Sequence, residues 1–215
     1  MSYTKEEMLY YWGSVEAVTD SLKEPNSNKW GLNHAKHFTP LHVGPDEVVI
    51  YDTGHSTIIA INGSDKDPQE WKGNLKGYPI TQGMHCNFRA SGIAVLNRVL
   101  RTAPHLRQDL HIVGHSRGGA IAQVMAHYLK KWEGIEASCI TFGSPRVFTV
   151  WARPTFKHHR VFTVGDIVTR IPAVWVPPFF KSYQTTKTKI KTGRILGLKK
   201  KHGEYGEMIS KYVTG

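Results

Sequence analysis

Apolar side chains recur at helical intervals through Met8, Tyr11, Trp12, Val15, Val18 and Leu22 until Pro25 stops the run. Thr4 and Glu7 stand just before them at the spacing of a capping box, where hydroxyl and carboxylate each satisfy the other residue's free backbone amide. The pattern predicts an amphipathic helix within residues 1–24. A polar stretch rich in Asn and His follows. Residues 48–51 and 57–61 then form two β-rich runs separated by Thr53-Gly54-His55-Ser56, which reads as a hairpin.

Helical periodicity returns over residues 88–100, ahead of Pro104, and residues 110–113 form a short buried strand running into Gly114. Residues 121–129 predict another helix, and residues 138–142 and 160–164 two more strands. From about residue 85 strands and helices therefore alternate. That alternation predicts an α/β fold: a mostly parallel central sheet with helices on both faces. A single domain spanning residues 1–215 is the expectation, because a chain of this length buries one core of ordinary size.

Composition narrows the picture. The longest apolar stretch, residues 171–180 with three prolines, is far shorter than the roughly 20 residues of a membrane-spanning helix. Thr4-Lys5-Glu6-Glu7 lacks the basic start and apolar run of a secretory signal, so a cytoplasmic location is expected. Two cysteines, Cys86 and Cys139, are too few for a disulfide framework and are expected to be reduced, buried thiols. The formal charge of +11 suits a partner carrying negative charge, a lipid headgroup surface or a nucleic acid.

The chemistry enters at Gly114-His115-Ser116-Arg117-Gly118, a G-x-S-x-G pattern placed after a strand and before a helix. A serine on so sharp a turn takes strained backbone angles, and the chain around it passes too close for any side chain at Gly114 or Gly118. An acid and then a histidine must follow in the sequence. Beyond Asp166 the only histidine is His202, and the only acidic residues between Ser116 and His202 are Glu133, Glu136 and Asp166. Glu133 and Glu136 flank Gly134 in a solvated helix-to-strand turn, whereas Asp166 sits at the carboxyl end of a strand, where open α/β sheets gather their site residues. The expected constellation is Ser116 as nucleophile, His202 as base and Asp166 as orienting acid. An oxyanion hole needs two donors. Ser64, just after the strand ending at Ile61, offers its amide and hydroxyl beside the amide of Arg117.

Several segments between Val48 and Tyr212 resemble the class 3 lipases, the fungal-lipase-like branch of the α/β-hydrolases. Gly114-His115-Ser116-Arg117-Gly118-Gly119 resembles the family elbow G-H-S-L-G-G, and Thr141-Phe142-Gly143-Ser144-Pro145-Arg146-Val147 is similar to the family's next strand and turn. Gly165-Asp166-Ile167-Val168-Thr169-Arg170-Ile171-Pro172 resembles the segment bearing the catalytic Asp, and His202 with Tyr205 resembles the family's H-x-x-Y. Gly63-Ser64 followed by Glu70-Trp71-Lys72-Gly73-Asn74-Leu75 is similar to the oxyanion strand and the lid helix behind it, so residues 64–78 are the expected lid. Three departures stand out: Asn62 in place of an arginine, Arg117 in place of a leucine, and a polar stretch over residues 65–70.

The resemblance implies an α/β-hydrolase fold and a serine hydrolase that cleaves lipid esters (as lipase, phospholipase or esterase) through an acyl-serine, with no cofactor. A metal is not expected either, because none of the twelve histidines forms H-E-x-x-H and the adjacent His158 and His159 point to opposite faces of a strand. Residues 181–201 carry eight basic and no acidic side chains, a pattern suited to an anionic membrane surface beside the lipid or ester substrate. The competing reading is a non-catalytic hydrolase-fold module that binds membrane or nucleic acid through this basic segment. Nucleic acid is the less expected partner, since the cations lack interleaved aromatics.

Overall fold

The computed structural model describes residues 3–23, 37–63, 80–106, 109–172, 179–190 and 205–214. Seven strands form one sheet: β1 (His37–Val43), β2 (Asp46–Asp52), β3 (Ser56–Ile61), β6 (Asp109–His115), β7 (Ser138–Phe142), β9 (Lys157–Thr163) and β11 (Thr186–Ile190), in the order β1-β2-β3-β6-β7-β9-β11. β1, β2 and β3 pair antiparallel, and every pairing from β3 to β11 is parallel. A small second sheet joins β4 (Ile80–Thr81), β5 (Met84–His85), β8 (Phe148–Thr149) and β10 (Phe180–Lys181).

Four helices are described: α1 (Lys5–Lys23), α2 (Cys86–Thr102), α3 (Ser116–Tyr128) and α4 (Tyr205–Thr214). α2 and α3 cover one face of the sheet, α1 and α4 the other. The two-residue period of the strands divides their side chains accordingly. Val48, Ile50, Ile59, Ile61, Leu110 and Ile112 pack with α2 and α3. Val49, Tyr51, Ile58, Ala60, Val113 and Ile140 pack with Met8, Trp12 and Val15 of α1 and with Met208 and Ile209 of α4. Central strands buried on both faces read as continuous apolar runs, which is why they were visible in the sequence.

The capping box forms as expected: the Thr4 amide donates to Glu7 Oε2 at 2.7 Å and the Glu7 amide to Thr4 Oγ1 at 3.1 Å. The hairpin, α2 and α3 fall where the pattern placed them, and the strand expected over residues 160–164 begins earlier, at Lys157. Both cysteines are free, Cys139 buried and Cys86 only half-buried.

Three elements correct the sequence reading. The polar stretch before residue 48 ends in a strand, β1, at the sheet edge. The basic segment 181–201, for which no strand was expected, contributes in its first half to β10 and forms the edge strand β11, whose Lys187 and Lys189 are exposed while Ile190 is buried. The C-terminal α4 was not anticipated.

Candidate active site

β6 ends at His115 and α3 begins at Ser116, so the turn between them is as sharp as a chain permits. Ser116 takes φ of +54°, a left-handed conformation that costs a non-glycine residue roughly 1–3 kcal/mol. The surrounding glycines make that turn possible. A Cβ on Gly114 would lie 2.3 Å from the Gly118 carbonyl oxygen, and one on Gly118 would lie 2.3 Å from the Ile61 carbonyl oxygen. Both contacts are with backbone, which cannot move aside.

The end of β3 backs onto the elbow from the other side. A Cβ on Gly63 would meet Ser116 Cβ at 3.0 Å and the Arg117 amide nitrogen at 3.4 Å. Gly63 therefore brings the chain leading into Ser64 against the amide expected to form one half of the oxyanion hole. Ser64 and the expected lid, residues 64–78, lie outside the described residues, as does His202. The Arg117 side chain is buried and forms an ion pair with Asp46, Nε to Oδ1 at 2.9 Å, with a second nitrogen donating to Oδ2 at 3.3 Å.

Asp166 follows β9 and is fully buried. Its Oδ1 accepts the Val168 amide at 2.9 Å, and its Oδ2 accepts the Tyr205 hydroxyl at 2.8 Å. Two arginines lock the loop that carries it. Arg160 donates to the carbonyls of Ser144 and Thr169, each at 2.7 Å, and Arg146 donates to the carbonyls of Arg170 and Pro172. Burial pulls the Arg160 guanidinium down to about 10, against the opposing pull of the neighbouring Tyr205 and Asp166.

Tyr205, the first residue of α4, joins the two halves of the site. Its hydroxyl accepts the Thr163 amide at 3.0 Å while donating to Asp166. Its ring lies 5.5 Å from that of His115, the residue before Ser116, and 6.0 Å from Trp12 of α1. Burial, reinforced by the Asp166 charge, raises its hydroxyl far above the ordinary phenol range, so it remains a donor. Residue-by-residue reasoning gave Tyr205 no role, although the H-x-x-Y resemblance contained the signal.

His158 and His159, on β9, are structural. His158 bonds Thr141 Oγ1 and the Tyr183 carbonyl, and His159 bonds Thr186 and Thr188. Among the described residues no cluster of His, Cys, Asp and Glu suits a metal ion.

A sheet of this order, with a strained serine at the carboxyl end of one strand and a buried acid two strands away, is the arrangement of the α/β-hydrolase fold. The chain belongs to the lipase (class 3) family, which it matches over residues 58–175, more than half its length. It is 31% identical over 121 residues to secreted mono- and diacylglycerol lipase 1 of Fusarium solani, a match spanning 48% of this chain but only 36% of that protein. Its fold resembles the lipase of Rhizopus microsporus var. chinensis, with a TM-score of 0.68 at 18% identity over 88% of this chain and 76% of that one. Lipase II of Rhizopus niveus gives 0.66 at 20% identity, over 88% and 81%. At such identities the structural likeness establishes the α/β-hydrolase fold alone.

Proposed function

We propose that this chain hydrolyses carboxylic esters of lipids through an acyl-enzyme on Ser116. The observation that carries the reading is the Ser116 backbone at +54°, held in place by glycines that admit no Cβ. Family membership supports it, and the name of the Fusarium relative points to acylglycerols.

In this mechanism Ser116 Oγ bonds to the ester carbonyl carbon while its proton passes to His202, and Asp166 orients and stabilises the resulting imidazolium. The amides of Arg117 and Ser64 hold the oxyanion. Collapse expels the alcohol, which takes the proton from His202, and water then repeats the sequence to release the acid. His202 stands three residues before Tyr205, a separation that extended chain spans in roughly 10 Å. Since Tyr205 holds Asp166, that short tether supports His202 as the base.

The exposed cations of β11, Lys187 and Lys189, support an anionic membrane surface as the place of action. Hydrolysis and vesicle binding that ignore both anionic lipid content and salt would dismiss that partner. A cytoplasmic location is part of the proposal, and cell fractionation tests it. Turnover of p-nitrophenyl esters of graded chain length, against a Ser116→Ala control, tests the reaction and ranks lipase against esterase. Equal turnover by wild type and control removes the assignment.

A further inference from the structure

We propose that the buried Arg117–Asp46 ion pair is a positioning clamp that fixes the oxyanion-binding amide of Arg117 against the end of β3, an inference resting on the hydrolase reading above. Three elements meet at this guanidinium. It grips the Asp46 carboxylate with two nitrogens, at 2.9 and 3.3 Å, and the second of these also donates to Ser91 Oγ on α2 at 2.8 Å. The pair is nearly closed to water, with side-chain exposures of 10% and 2%.

The next residue of β2 holds the other wall of the site. The Glu47 carbonyl accepts the Asn62 amide at 3.1 Å, and Asn62 directly precedes Gly63. Consecutive residues at the start of β2 thus fasten both the elbow and the end of β3: Asp46 through the Arg117 side chain, Glu47 through the Asn62 backbone. Gly63, packed against Ser116 Cβ and the Arg117 amide, closes the triangle.

Stability does not account for the pair. Burying two charges costs so much hydration that apolar side chains of similar volume serve a core as well or better. The elbow that this chain resembles carries leucine where Arg117 stands. What a two-pronged guanidinium–carboxylate contact adds is fixed distance and orientation. Oxyanion donors act through placement, and an error near 1 Å costs about a hundredfold in rate. Arg117 and Asp46 touch no reacting atom through their side chains, so they position the donors and do not themselves catalyse.

The test separates placement from folding. Arg117→Leu, Asp46→Leu, the double variant and the milder Asp46→Asn are compared with wild type for kcat and KM on p-nitrophenyl butyrate and for urea midpoint. Each single leucine variant strands a buried charge and lowers the midpoint. The double variant is expected to regain the wild-type midpoint yet lose at least about tenfold in kcat, with KM within about twofold. Wild-type kcat in the refolded double variant overturns the clamp. Should the double variant fail to fold, Asp46→Asn decides: a kcat loss of about threefold or more at unchanged KM supports the clamp, and unchanged kcat overturns it. A wild-type chain that turns over no ester overturns the hydrolase reading first, and this inference with it.

Discussion

Replacing Tyr205 with phenylalanine removes one oxygen and leaves the ring that packs between His115 and Trp12. That oxygen serves two buried groups at once. Without it the Asp166 carboxylate loses a donor at 2.8 Å and the Thr163 amide loses its acceptor at 3.0 Å. A hydrogen bond to a charged group is worth about 1.5–3 kcal/mol, and a buried amide left unsatisfied costs about 1–3 kcal/mol. Tyr205→Phe should therefore destabilise the fold by about 3–5 kcal/mol, read as a lower urea midpoint at constant slope. The chemistry moves in a definite direction as well. On the proposed triad, a carboxylate relieved of its phenol donor would hold more negative charge and stabilise a His202 imidazolium more strongly. The acidic limb of kcat/KM, which follows formation of the neutral base, should shift to higher pH. Unfolding and pH profiles that both match wild type would refute the reasoning. A lower midpoint with an unmoved limb would reduce Tyr205 to a structural tether.

Other expectations follow from the same geometry. Gly118→Ala places a Cβ 2.3 Å from the Ile61 carbonyl oxygen, so it should abolish ester turnover and lower the thermal midpoint, and a variant with wild-type kcat would contradict the elbow as described. Burial lowers His158 to about 3 and, with the nearby Arg117 charge, lowers His85 to about 4. Both are neutral when folded, so the stability they contribute is full above about pH 6.5 and is lost as pH falls toward 4, because the unfolded chain takes up the protons. Urea unfolding at pH 7, 6 and 5 should show losses of up to about 1.4 kcal/mol per histidine per pH unit, and a flat series would count against the buried neutral rings. Thr4→Ala removes the capping hydroxyl of α1 and should cost about 1 kcal/mol in thermal or urea unfolding.

The parts of the site that the sequence disclosed were those built from local pattern. Ser116 sits among glycines at a strand-to-helix junction, and Asp166 follows Phe162-Thr163-Val164-Gly165 just past the end of β9, so both carry their context within ten residues. β2, β3 and β7 were legible because they are apolar on both sides, whereas β9 opens with Lys-His-His-Arg and only its second half showed. Edges were not. β1 contains Pro40 and two histidines and pairs on one side only, while β11 alternates Thr and Lys because one row of its side chains faces water. α4 was hidden by Gly206 near its start, where a Cβ would lie 2.6 Å from Glu16 Oε1 and 2.9 Å from Trp12 Nε1, so those side chains would have to shift. The Arg117–Asp46 pair joins positions 71 residues apart and leaves no local trace, apart from an arginine where the elbow it resembles has leucine.

The central claim is that the hydroxyl of Ser116 is a nucleophile activated by His202 and Asp166. Incubation with a fluorophosphonate, followed by peptide mapping in a mass spectrometer, tests it directly. One label per chain on Ser116 is predicted, slowed at least about a hundredfold in His202→Ala and absent in Ser116→Ala. Labelling at another serine, or at Ser116 with undiminished rate in His202→Ala, would contradict the account.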